Sequence, residues 1–145
     1  MQYSIGEVSK MTGLSTSTLR YYDREGLLPN LERRGGKRVF GDEAMRTLRV
    51  IECLKKSGLE IRDIRKFMEL TTQGSASYSA RKELMDRQRA RTVERIEELQ
   101  KALALLEYKC WYYDEALACG NEDFANDAPA SLPDEAQELY RKAFA

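Results

Sequence analysis

The chain has 145 residues, with 24 basic and 24 acidic side chains, three cysteines and no histidine. That length suits one domain or a small domain with an appendage, and the missing histidine removes the commonest metal ligand and the usual general base together. Three cysteines form no even-numbered disulfide framework, and no apolar run approaches the ~20 residues that span a bilayer. Met1-Gln2-Tyr3-Ser4 runs straight into a helix pattern rather than a signal peptide, so a reducing cytoplasm is the expected setting. Charge is unevenly spread: residues 1–69 hold 14 basic and 10 acidic side chains, and residues 70–145 hold 10 and 14. A basic head and an acidic body fit a protein whose first half meets nucleic acid.

Ser4, with Glu7 three residues on, makes a capping box. Ile5, Val8 and Met11 then line one face of a first helix, which Gly13 ends. Ser15 caps a second helix carrying Leu19, Tyr22 and Asp23, and Gly26 stops it. So tight a pair reads as a helix-turn-helix. Pro29 keeps the chain after it from resuming a helix. Arg33 and Arg34 precede Gly35-Gly36, Lys37 and Arg38 come after, and Val39-Phe40 returns as a strand, which makes a basic β-hairpin, or wing. Asp42 is expected to cap a third helix with Met45, Leu48, Ile51 and Leu54 on its apolar side, closed by Gly58. A fourth helix carries Ile61, Ile64, Phe67 and Met68, and residues 71–75 read as a break.

From about Tyr78 the pattern becomes one long helix. Ile96, Leu99, Leu103, Leu106, Cys110, Tyr113 and Leu117 alternate spacings of three and four, a heptad seam of three repeats. Upstream the same register meets Met85, Arg89 and Thr92, where it weakens. A second copy of the chain is the simplest partner for this stripe, and a helical hairpin with the tail is the alternative. Residues 121–132 read as a flexible link. Residues 134–144 read as one short helix, with Ala136, Leu139, Tyr140 and Ala143 on a face that packs on the stem.

The run Thr18-Leu19-Arg20-Tyr21-Tyr22-Asp23, closed by Glu25-Gly26-Leu27-Leu28-Pro29, carries the most chemistry. It offers a hydroxyl, a guanidinium and a phenol within one turn, the donors wanted by a DNA backbone and groove. Ser15, Thr16 and Thr18 stand at the helix N-terminus, whose free N–H groups suit a phosphate or base edge. Arg20 can hold guanine bidentately or clamp a phosphate. Tyr21 offers its phenol on the exposed face, while Tyr22 is expected half-buried against the first helix. The plain alternative for each basic residue is a solvated surface charge.

Together with the wing, these residues resemble the N-terminal DNA-binding domain of the MerR family of bacterial transcription regulators. The resemblance implies an all-α fold with a small β-wing. A winged helix-turn-helix head would cover 1–72, a long antiparallel coiled-coil dimerisation helix 78–119, and a tail with a short helix 120–145. It implies Arg20 and Tyr21 as DNA contacts, and Arg38 with Arg33, Arg34 and Lys37 as backbone contacts. It also implies a homodimer that distorts the promoter spacer so that RNA polymerase can engage. No cofactor, metal or membrane partner is expected. Phe40 stands where the family commonly has tyrosine, so no hydroxyl contact can come from there.

Three readings compete for the effector. The segment from Ile51 to Ile61 around Cys53 resembles the thiol-based branch, which responds to aldehydes, electrophiles or oxidative stress. Arg49 and Lys56, one turn either side, would favour a thiolate. The alternative is that Cys53 is a small core residue beside Val50 and Leu54. A soft-metal, copper-type site would use Cys110 and Cys119, but a helical span holds those thiols ~13 Å apart. A ligand groove would use Tyr108, Trp111, Tyr112 and Tyr113, for which ordinary packing is the simpler explanation. A non-sensing architectural DNA-binding protein is the rival to a regulator. No acid/base pair, phosphate loop or nucleophile–base spacing points to an enzyme.

Overall fold

Short local signals set where the helices begin and end. In the computed structural model, which describes residues 1–145, the Ser4 hydroxyl accepts from the Glu7 amide at 3.2 Å while Glu7 accepts from the Ser4 amide at 2.7 Å. These two hydrogen bonds hold the Glu7 carboxyl below the usual carboxylate range, the backbone one most of all. The box opens α1, Ile5–Thr12, which Gly13 closes at φ 76°. That left-handed conformation has no Cβ penalty at glycine. Ser15 repeats the device on the Thr18 amide at 3.1 Å and opens α2, Thr16–Arg24.

Strands β2, Glu32–Arg34, and β3, Lys37–Phe40, pair antiparallel about Gly35 and Gly36. Both glycines have positive φ, 56° and 77°, as a two-residue hairpin with the right-handed twist requires. The sheet has a third strand. β1, Tyr3–Ser4, lies on the other edge of β3, with Tyr3 opposite Phe40 and Ser4 opposite Val39. The expected direct entry of residues 1–4 into a helix is corrected here, because two residues are too few to show an alternation.

Helices α3, Asp42–Lys56, and α4, Ile61–Thr71, complete the head. The expected Asp42 cap is a second correction. Gly41 is the N-cap without any side-chain bond, and Asp42 lies inside the first turn, 3.4 Å from the N-terminal amine. One core joins these elements: Val8, Leu19, Tyr22, Leu27, Phe40, Leu48, Ile51 and Ile64 are essentially closed to solvent. Each such side chain contributes ~1.5–3 kcal/mol by its burial. A 3-10 turn at Gly74–Ser77 follows α4. Arg81 fastens it, donating to Ser77 Oγ at 2.9 Å and to the Gly74 carbonyl at 2.8 Å.

Helix α5, Tyr78–Cys119, has 42 residues and is roughly 63 Å long. The chain forms two compact units, residues 1–89 and 90–145. In the second, α6, Asp134–Phe144, buries Ala136 together with Tyr108 and Leu132, and Trp111, Tyr112, Phe124, Leu139 and Tyr140 pack around them. Residues 121–132 are therefore not the flexible link expected. Leu132 is buried, Phe124 meets the Trp111 ring edge-on at 5.7 Å, and Ser131 donates to the Phe124 carbonyl at 2.9 Å. Their polar composition hid two anchoring apolar residues. No helix is long and apolar enough to cross a membrane.

Candidate nucleic-acid interface

Helical spacing divides α2 into two faces. Leu19 and Tyr22, three apart, point into the core, and Arg20, Tyr21 and Arg24 point to solvent. Ser15 stands exposed at the N-cap with its hydroxyl 2.9 Å from that of Thr18, and Thr16 and Thr18 are half-buried. Arg20 and Arg24 are exposed and carry no ion pair, and the exposed Tyr21 has its ring 6.3 Å from that of Tyr22. Arg24 was not among the residues singled out from the sequence, although it follows Arg20 by one turn on the same exposed face.

The inner face ties α2 to three neighbours. Tyr22 is 1% exposed rather than half-buried, and its bonds run to α3. Its hydroxyl donates to Glu52 Oε1 at 2.9 Å and accepts from Lys55 Nζ at 2.8 Å. Burial is the main cause of the upward shift of its phenol pKa. The Lys55 ammonium is held up by the same hydrogen bond. Asp23 turns toward the wing, where its Oδ2 accepts from Arg38 Nε at 2.7 Å and Arg33 Nη2 at 3.1 Å. Arg65 of α4 donates to the Glu25 carbonyl at 2.8 Å and pairs with the Glu25 carboxylate. That bond occupies a carbonyl at the C-terminal end of α2, with a cation where the helix dipole favours one.

On the wing, Arg33 stands opposite Arg38, and Arg34 opposite Lys37. Arg34 and Lys37 are exposed at the tip without ion pairs, whereas Arg38 is only 18% exposed and engaged with Asp23. The basic residues expected on the backbone thus fall into a free pair at the tip and a tethered pair at the root. Phe40 is fully buried, in a place where a tyrosine hydroxyl would need a partner.

Cys53 lies on α3 and is exposed, which sets aside the core reading. Leu54 points inward in its place, and Val50 is itself exposed. The thiol borders a hollow of about 460 Å³ between α3 and the end of α1, with Met11, Leu14, Met45 and Leu48 as apolar walls. Arg49, Glu52 and Lys56 line the same hollow. Glu52 is the residue that accepts from Tyr22.

Cys110 and Cys119 are also exposed, and α5 remains helical through both. They are therefore ~13 Å apart along the axis, beyond the reach of one ion within a chain. No group of three or more His, Cys, Asp or Glu is placed to hold a metal. Ile96, Leu99, Leu103, Leu106, Tyr113 and Leu117 are each 49% exposed or more. The tail does not cover them, because α6 packs on the Tyr108 side of the helix. Tyr108, Trp111 and Tyr112 are filled by their own contacts, Tyr108 meeting Tyr140 edge-on at 5.4 Å.

Two family profiles match the chain: "MerR HTH family regulatory protein" over residues 3–71 and "MerR, DNA binding" over residues 45–108. An uncharacterized HTH-type transcriptional regulator of Haemophilus influenzae is 38% identical over 127 residues, 87% of this chain and 94% of its own length. The HTH-type transcriptional regulator AdhR of Bacillus subtilis is 35% identical over 92 residues, 63% of this chain and 66% of its own. Among solved structures, the crystal structure of HiNmlR, described as a MerR family regulator lacking the sensor domain and bound to promoter DNA, superposes with a TM-score of 0.65. It is 38% identical and covers 84% of this chain and 98% of its own. With its helix-turn-helix and wing matched along nearly the whole length of a relative, this chain belongs to the MerR family of DNA-binding transcription regulators.

Proposed function

We propose that this chain grips promoter DNA as a homodimer and switches transcription in response to a thiol-reactive electrophile such as an aldehyde. The observation that carries the DNA reading is the exposed side of α2, where Ser15, Arg20 and Tyr21 face solvent on a helix fastened to α3, α4 and the wing. A helix so held can enter a major groove without losing its own orientation. Arg34 and Lys37 at the wing tip add cations for the backbone. The relative solved with promoter DNA supports the same partner.

The stripe from Ile96 to Leu117 supports the second copy. Six large apolar side chains in heptad register on one exposed helix face form a seam of the kind a like helix covers. The electrophile reading rests on Cys53, exposed beside two cations and an apolar hollow. An adduct there would press on α3 next to Glu52, which bonds the recognition helix through Tyr22. Spacer distortion and engagement of RNA polymerase would then arise from a difference in effector affinity between two DNA-bound states. The test is selection of duplexes by the wild-type chain from a random-sequence pool. Enrichment of an inverted repeat is expected, and a pool that stays random would overturn the reading.

A further inference from the structure

The wing carries a charge arrangement that costs it stability in isolation. Arg33 and Arg38 are directly opposite each other on β2 and β3, and like charges in that position repel. Asp23, the only acidic residue within α2, supplies one carboxylate oxygen to both. Two guanidinium groups on one carboxylate leave the cluster with an excess positive charge. The hydrogen-bonding capacity is also unspent: Arg38 uses Nε and keeps both terminal nitrogens, and Arg33 uses one terminal nitrogen of its fork. Arg33 remains 52% exposed.

An acid at the edge of a DNA-facing surface ought to weaken binding by simple repulsion. Its place at the centre of the Arg33–Arg38 pair offers a gain against this. We propose that Asp23 is a positioning residue for a backbone phosphate: it fixes Arg33 and Arg38 as one preorganised seat between the recognition helix and the wing. A duplex phosphate would take the free nitrogens and the excess charge, as guanidinium forks do with phosphate oxygens. Asp23 would thereby set the angle of the wing to α2 and, with it, which phosphate is met when Arg20 enters the groove. The proposal rests on the DNA-binding reading above.

The two ideas make opposite predictions for Asp23→Asn, a nearly isosteric change. Repulsion alone predicts tighter binding. Positioning predicts that affinity for the selected duplex falls about tenfold or more and that the salt slope flattens by roughly one to two phosphate contacts. In an Arg33→Ala/Arg38→Ala background the same change should leave binding unchanged or tighten it, because the carboxylate then has nothing to hold. Fluorescence anisotropy over a salt series reads both. Circular dichroism melting identifies a variant that has lost its fold, and Asp23→Glu, which keeps the charge, should recover part of the loss. A wild type without affinity for duplex DNA would remove the DNA reading itself. A binding wild type with Asp23→Asn equal or tighter, or an equal loss in the arginine-free background, would overturn the role of Asp23 alone.

Discussion

Neighbouring residues on α2 divide their work by which way the helix turns them. Arg20 and Tyr21 face solvent, and Tyr22 and Asp23 face the protein. Removing an outward residue should therefore change binding and leave the fold intact. Arg20→Ala is expected to weaken affinity for the selected duplex by ~1–3 kcal/mol if its fork meets a base, whereas Lys37→Ala should lower binding to all sequences and flatten the salt slope by roughly one. Titration of both variants by anisotropy separates the two, and unchanged binding in both would remove the head from its assigned role. An inward residue should do the reverse. Tyr22→Phe deletes the hydroxyl that joins Glu52 and Lys55, and a loss of ~1–2 kcal/mol is expected in urea unfolding. A stability equal to wild type would show that the bond contributes nothing net.

At the scale of the element, the second unit depends on aromatic side chains that few sequence patterns reveal. Tyr112 donates to Glu122 at 2.7 Å, and chiefly through that bond its phenol is pushed up to about 12. An unfolded tyrosine ionises near pH 10. Below that pH both states hold the proton and the bond contributes fully. From about 10 to 12 the unfolded chain ionises first, so stability falls with pH, and above about 12 the contribution is gone. A phenolate absorbance titration of the wild type should therefore end in a late step that Tyr112→Phe lacks, and identical curves would contradict the assignment. Helices with a local cap or a dominant apolar face were legible in advance: α1 and α2 by their serine caps, α4 and α6 at 134–144 by their apolar faces, and the stem from Tyr78 by its spacing. So was the glycine turn of the wing. The features that escaped depend on distant partners. β1 is defined only by β3, Asp23 reads as a helix acid until the wing folds beside it, and residues 121–132 look unanchored until Phe124 and Leu132 meet the aromatic cluster.

At the scale of the whole molecule, sensing and assembly are the remaining claims. Cys53 borders the hollow between α1 and α3, while Cys110 and Cys119 lie far along a helix. Cys53→Ser is accordingly expected to bind the selected duplex as wild type does but to lose its transcriptional response to an aldehyde. Cys110→Ser and Cys119→Ser should still respond. Transcription runs with thiol labelling read by mass spectrometry check this, and a response lost only in the Cys110/Cys119 pair would install a metal in place of the electrophile. Regulation of this kind presupposes that two chains hold one duplex. The apolar stripe from Ile96 to Leu117 is the reason to expect it, and Leu103 lies within that stripe, 55% exposed in one chain. Leu103→Glu would bury like charges against each other without partners. Sedimentation of the 16.7 kDa chain with the selected duplex is the most direct test. The wild type should sediment as a dimer bound two chains to one duplex, and Leu103→Glu as a monomer that leaves the DNA free. A wild type that is monomeric and binds one chain per duplex would contradict it.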